Sequence, residues 1–395
     1  MQRSTDAVDR PYVHVITPGD HYSPRTGSAV PTVVDGLVRG ASAGSAPSSV
    51  VVARGTYPDR YPGVDVVEYP QVSARRADRY LDAASSRVGL PRFGARRAFA
   101  ATVQDQASWA PSFVLAHNAP QLVPLVDASR HVPVLYAHNQ LLRSYGHREL
   151  ARALGQVYRI VCVSEFLADE TTSLLPLSLQ DRVVVVHNGV DAPAPPPVRP
   201  RPRGERLHVV FVGRTIPDKG ADVLVDAVRA LARDDVRLTV VGSAGFDAAA
   251  PLTPHEKDLR RRASGAVGPV TFTGFLPRAE AREVLQTADV VVVPSRWAEP
   301  FALTALEGMA AGAAVVASDI GGIPEAVGPA GILVAPDDVR ALSQALAALA
   351  DDDSLLARSK SAGAAHAHDM DWSRARARLD AALGSARART PGAST

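Results

Sequence analysis

Two successive doubly wound α/β units are what this sequence predicts, and three observations predict them. Short apolar runs rich in Val, Ile and Leu alternate with amphipathic stretches along most of the chain. A proline-rich run near the middle breaks that rhythm, and the same rhythm restarts beyond it. At 395 residues the chain is also too long for one ordinary core.

In the first half, strands are expected at 13–17, 50–53, 64–67, 112–116, 132–136, 159–163 and 183–187. Between them, helices are expected at 29–39, 77–86, 119–128, 149–153 and 165–175. From Asp191 to Gly204 the prolines leave no sheet or helix interior and predict a stiff linker. Beyond it, strands at 207–212, 236–241, 270–272, 290–293 and 314–317 alternate with helices at 221–232, about 255–263, 278–287, 303–311 and 339–350. The expected divisions are a first domain at 1–191, a linker at 192–206, a second domain at 207–371, and a helix at 372–388 crossing back to the first domain. The natural ligand crevice of such units lies at the carboxyl ends of the strands and between domains.

Composition narrows the function. The apolar fraction of 46% and charged fraction of 21% are those of a soluble globular chain. A formal net charge of +2 gives no global reason to invoke nucleic acid. The single cysteine, Cys162, sits in an apolar strand, so intrachain disulfides and cysteine-based metal sites are excluded. The polar N-terminus and the lack of any run near 20 apolar residues predict a cytoplasmic protein without a transmembrane segment, with peripheral membrane contact left open. Arg79, Arg87, Arg92, Arg96 and Arg97, with Arg75 and Arg76, gather around one helix and loop. A solvated basic face explains them more simply than an anionic membrane or acidic acceptor.

The residues that carry chemistry follow strands. Glu299 stands in the turn after strand 290–293, and Glu307 lies about one turn inside the next helix. A helix start has free N–H groups for an anion, so this pair suits a ligand with a phosphate and several hydroxyls. The bland alternative is an acidic loop residue and a solvated helix glutamate. Gly213 and Gly220 frame a loop carrying Arg214 and Lys219, a fork and a point charge for phosphate. Lys219 is one of only three lysines, the others being Lys257 and Lys360, which favours a particular role over a generic positive charge. Ser318 to Glu325 brings paired glycines after another strand. Thr271 to Pro277 could offer backbone to a flat base edge or be a plain connecting loop. His117 and His138 both end apolar strands, and both precede Asn.

Taken in order, Gly213-Arg…Lys219-Gly220, Thr273-Gly-Phe-Leu-Pro277, Pro294-Ser…Glu299-Pro-Phe…Glu307 and Ser318-Asp…Gly321-Gly-Ile-Pro-Glu325 resemble the GT4 family of retaining glycosyltransferases. The first half follows in the family's order too, with Thr17-Pro-Gly…Arg25-Thr-Gly-Ser, Ala116-His-Asn, Ala137-His-Asn, Val163-Ser-Glu-Phe and His187-Asn-Gly-Val-Asp191. The resemblance implies a GT-B fold, two Rossmann-like domains with parallel sheets facing an interdomain cleft. It implies a nucleoside diphosphate sugar as donor, a UDP-sugar ahead of a GDP-sugar, and an acceptor hydroxyl.

By the same resemblance, Arg214 and Lys219 hold the donor diphosphate, and Glu299 orients the transferred sugar. Glu307 takes the ribose hydroxyls, and the nucleobase lies near Phe275 and Leu276. The N–H groups of Ala302, Leu303 and Thr304 meet sugar or phosphate, while Gly213 and Gly27 let their loops approach. His138 contacts the transition state, with His117 and Asn118 on the acceptor side. The departing phosphate takes the acceptor proton, so neither cofactor nor metal is expected. The family often has Gly where this chain has Ala302, and two adjacent glycines where it has Thr26-Gly27-Ser28; both departures narrow the space around the sugar. The acceptor is expected to be a small-molecule natural product, against the alternatives of a cell-envelope glycan or glycolipid, a GT-B phosphorylase, or a non-catalytic sugar-nucleotide-binding subunit.

Overall fold

The computed structural model describes residues 10–72, 77–87, 89–192 and 204–384. Most of the expected linker, together with Arg75, Arg76 and the tail from Arg389, lies outside the described residues. The chain forms two compact units, each built on one parallel sheet.

The first unit carries β1 (Tyr12–Val15), β2 (Ser48–Ala53), β3 (Asp65–Tyr69), β4 (Phe113–His117), β5 (Val132–Ala137), β6 (Arg159–Cys162) and β7 (Val183–Val185). Their order in the sheet is β3-β2-β1-β4-β5-β6-β7, all parallel. The second carries β8 (Leu207–Val212), β9 (Val236–Val241), β10 (Val270–Gly274), β11 (Val290–Val293), β12 (Ala314–Ser318) and β13 (Ile332–Val334). Its order is β10-β9-β8-β11-β12-β13, again all parallel. Both sheets wind outward in opposite directions from a central strand pair, β1/β4 in one and β8/β11 in the other. That is the doubly wound arrangement, with the strand order reversing at those pairs. Two such units make a GT-B fold.

Central strands are mostly apolar because helices cover both faces, with one histidine each in β1, β4 and β8. Thus β11, four valines in a row, is buried at every position. The core of the second unit runs from Leu207, Val209 and Phe211 through Leu224 and Val228 to Leu342, Leu346 and Leu349. The final helix, Trp372–Gly384, groups with the first unit from Ser373 onward.

One expectation fails. No helix spans 119–128; the segment makes a single 3-10 turn, Val123–Leu125, with i to i−3 bonds such as Leu122 N–H to the Ala119 carbonyl. Pro120 and Pro124 lack the N–H groups an α-helix needs, and each ring crowds the turn before it. Conversely, the helices Phe93–Ala100 and Asp353–Asp369 and the strand β13 were not expected.

Lys360, on the helix Asp353–Asp369, has a structural post. Its ammonium lies 2.6 Å from Asp289 Oδ1, while Asp289 Oδ2 accepts the His208 N–H at the start of β8. Removing the carboxylate leaves a buried ammonium and an unmet backbone N–H. Asp289→Ala is therefore expected to destabilise the second unit by about 3 kcal/mol. Urea unfolding of this variant beside Asp289→Ala/Lys360→Met checks it, with the double variant recovering part of the loss.

Candidate functional site

In the second unit, β8, β11 and β12 lie side by side, so the loops at their carboxyl ends open on one edge of the sheet. Two close backbone approaches draw those loops together. Gly220 has φ +68°, and a Cβ there would fall 1.9 Å from the Pro294 carbonyl oxygen. Gly321 has φ +62° and would put a Cβ 2.6 Å from the Glu299 carbonyl oxygen, which also accepts the Gly322 N–H at 2.7 Å. Only glycine combines that backbone conformation with that proximity.

The consequence is a compact charged group. Lys219 Nζ lies 2.8 Å from Glu299 Oε2, and the Ser295 hydroxyl donates to Glu299 Oε1. Glu299 retains only 7% exposure. Arg296 clamps the surroundings, donating to both carboxylate oxygens of Asp222 at 2.7 and 2.8 Å, to Asp337 at 2.8 Å and to the Pro217 carbonyl at 2.9 Å. Burial pushes the Asp222 carboxyl up, but this bidentate fork outweighs it and leaves the group below the usual range. Glu256 does similar work one loop away, accepting from the Thr215 hydroxyl and the Ala244 N–H while closing a capping box with Thr253.

Of the residues expected here, the structure brings Lys219 and Glu299 into contact. Arg214, next to Gly213, is exposed and makes no hydrogen bond or ion pair among the described residues. The helix Leu303–Ala310 starts at buried Ala302, and no side chain caps it, so the N–H groups of Leu303 and Thr304 keep their orphan character. Glu307 accepts from Arg278 at 2.6 Å, so any ribose would share that carboxylate with a guanidinium. Phe275 and Leu276 follow β10 half-buried, and the Phe275 ring meets Phe246 edge-on. Ser295, Arg296 and Glu256 had no expected role. The Arg296 partners Asp222 and Asp337 lie far along the chain, where local pattern does not reach, whereas Ser295 meets Glu299 within one loop and Glu256 meets Thr253 within one capping box.

In the first unit, the histidines form a chain. His14 on β1 pairs in register with Leu115, His117 lies two residues further on, and His117 pairs with Tyr136, two before His138. With side chains alternating at period two, all three histidines and Tyr136 share one sheet face. His14 Nδ1 lies 2.9 Å from His117 Nε2, and His117 Nδ1 lies 2.8 Å from His138 Nε2. Tyr136 stacks on the His117 and His138 rings at 5.0 and 4.7 Å.

Asn118, with φ +52°, spends its side-chain oxygen on the His138 N–H. Below His14, Arg376 from the final helix lies over the Tyr12 ring and pairs with Asp380. Burial, with the Arg376 charge adding, pushes His14 down to about 3; burial alone pushes His138 to about 3, and burial with the neighbouring His138 and His14 holds His117 well below the ordinary value. His14 is the residue sequence reasoning missed. Gly27 lies between β1 and the helix Ala29–Arg39. In the basic segment, Arg92 pairs with Glu149, Arg97 pairs with Asp78, and Arg79 covers Tyr80. No cluster of three or more potential His, Cys, Asp or Glu metal ligands occurs among the described residues.

Known proteins place these units. A family model described as Glycosyltransferase Family 4 matches residues 30–192, and one described as Glycosyl transferases group 1 matches 206–352. Glycogen synthase of Mycobacterium tuberculosis is 34% identical over 216 residues, 54% of this chain and 50% of that protein. D-inositol 3-phosphate glycosyltransferase of Corynebacterium glutamicum is 36% identical over 212 residues, 50% of each chain. This chain thus spans about half the length of the curated relatives it matches. Among solved structures, Anabaena HepE in complex with UDP superposes with a TM-score of 0.70 at 17% identity, over 95% of this chain and 100% of that one. The fold is that of the GT-B glycosyltransferases. The chain belongs to glycosyltransferase family 4.

The histidine chain also sets an acid response. Its folded pKa values lie below the unfolded value near 6.5, so its contribution is fully present above about pH 6.5 and is lost as pH falls toward 3. Urea midpoints followed by circular dichroism are expected to fall between pH 7 and pH 4. In a His14→Asn/His138→Asn variant that slope becomes shallower.

Proposed function

We infer that this chain is a retaining glycosyltransferase, moving a sugar from a nucleoside diphosphate sugar to an acceptor hydroxyl. The observation that carries the reading is the Lys219–Glu299 pair, held 2.8 Å apart by glycine-framed loops at the β8/β11 switch point. On this reading, the departing diphosphate competes for Lys219 and is joined by Arg214 and the uncapped start of the helix Leu303–Ala310. The helix start is fixed in advance, and a positive end already placed where negative charge develops lowers the barrier without reorganising. Glu299, steadied by Ser295, then orients the transferred sugar, and Glu307 with Arg278 meets the ribose. In the first unit, His138 contacts the sugar, and His117 and Asn118 hold it in place.

A UDP-sugar is the favoured donor, since a solved protein of this fold carries UDP. The charges named here replace a metal ion in this scheme, and the leaving phosphate takes the acceptor proton. A small natural product is the acceptor class from which trials start. The whole reading is tested by incubating the protein with UDP-, GDP- and dTDP-sugars and following hydrolysis and transfer. Consumption of one donor, undiminished by a chelator, is expected; consumption of none sinks the assignment. Lys219→Ala and Glu299→Gln should each lower kcat/KM by about a hundredfold, with Glu299→Gln still binding nucleotide. A Glu299→Gln protein at wild-type rate would remove that residue from the mechanism.

A further inference from the structure

The chain of three imidazoles has a direction, and its inner end decides it. Each contact, His14 Nδ1 to His117 Nε2 and His117 Nδ1 to His138 Nε2, needs one donor and one acceptor. With the rings neutral, only two arrangements are consistent. In one, His14 donates to His117 and His117 donates to His138, so His138 carries its proton on Nδ1. In the other, every proton moves to Nε2, and His138 presents a bare Nδ1.

The two arrangements differ at the buried end. His14 is fully buried, and its Nε2 has no hydrogen-bond partner among the described residues. The first leaves a bare lone pair there, and the second leaves an N–H. A buried N–H without an acceptor is the rarer and costlier orphan. Burial, with the Arg376 charge adding, opposes an added proton on His14 and keeps the ring from escaping the choice by becoming doubly protonated. Tyr136, stacked on His117 and His138 within 19° and 8° of parallel, fixes the ring planes so that neither imidazole can flip freely.

We propose that His14, acting through His117, is a positioning residue that sets His138 as the Nδ1–H tautomer, so that a donor rather than an acceptor faces the transferred sugar. The consequence for the sugar rests on the reading that His138 contacts it; the tautomer itself does not. A hydroxyl held by an N–H presents its oxygen lone pairs to the ring, and this fixes the rotamer of that hydroxyl during transfer.

The test uses the full chain with 15N-labelled histidine, its His138 signals assigned by comparison with His138→Gln. Two-bond nitrogen–proton spectra report which ring nitrogen carries the proton. Wild type is expected to show Nδ1–H at His138, and Nε2–H there overturns the proposal. His14→Asp supplies an acceptor only, beside Arg376, and should reverse the chain so that His138 changes to Nε2–H. His14→Asn has the same shape with a donor, and should keep the wild-type tautomer.

With the donor sugar found above, His14→Asp should lower kcat about tenfold, the scale of one hydrogen bond, with UDP affinity unchanged and His14→Asn restoring the rate. An unchanged His138 tautomer in His14→Asp overturns the coupling. A reversed tautomer with an unchanged kcat overturns its consequence for the sugar. If wild type consumes no nucleotide sugar, the functional reading fails, while the spectra still decide the direction of the chain.

Discussion

Close backbone approach at the carboxyl ends of β8, β11 and β12 is the constraint on which the rest of the second unit's chemistry depends. Where Gly220 meets the Pro294 carbonyl and Gly321 meets that of Glu299, no side chain fits, so three loops become one surface. Lys219 and Glu299 are neighbours because of that, although eighty positions separate them in the chain. Arg296 locks the same loops to the start of the helix Ala221–Leu231, and the charged pair is held before any ligand arrives. Preorganisation of this kind lets a charge stabilise a transition state without first being rearranged.

The two units solve opposite electrostatic problems. In the second, ionised groups are kept in pairs and networks, where burial is offset by a partner of opposite sign. In the first, titratable rings are stripped of charge by burial and then linked through neutral hydrogen bonds. A neutral imidazole row carries polarity and direction without the desolvation cost of an ion.

Much of the fold was legible because parallel strands buried on both faces are continuous apolar runs. The strands at 207–212, 236–241 and 290–293 were read to the residue for that reason. The helix expected at 119–128 fails because Pro120 and Pro124 interrupt an otherwise helical apolar spacing. The helix Asp353–Asp369 escaped because Ala, Ser and Gly residues give it no pronounced apolar stripe, though Gly363 packs close to Met309. At the site, motifs pointed to Lys219 and Glu299 singly, and their contact came only from three-dimensional register. His14 was harder still: a histidine inside Tyr12-Val13-His14-Val15 looks like a core residue, and its meaning depends on partners about a hundred positions away.

The final helix also bears on how the protein is made. The first unit is assembled from separated stretches of chain, because the helix Trp372–Gly384 supplies Arg376 to the underside of β1. Apart from the short piece Pro24–Gly27, the second unit is continuous from Asn188 to Trp372. A ribosome therefore releases all of the second sheet before the first unit receives the helix Trp372–Gly384. The histidine row stays without its Arg376 neighbour until that helix has left the exit tunnel.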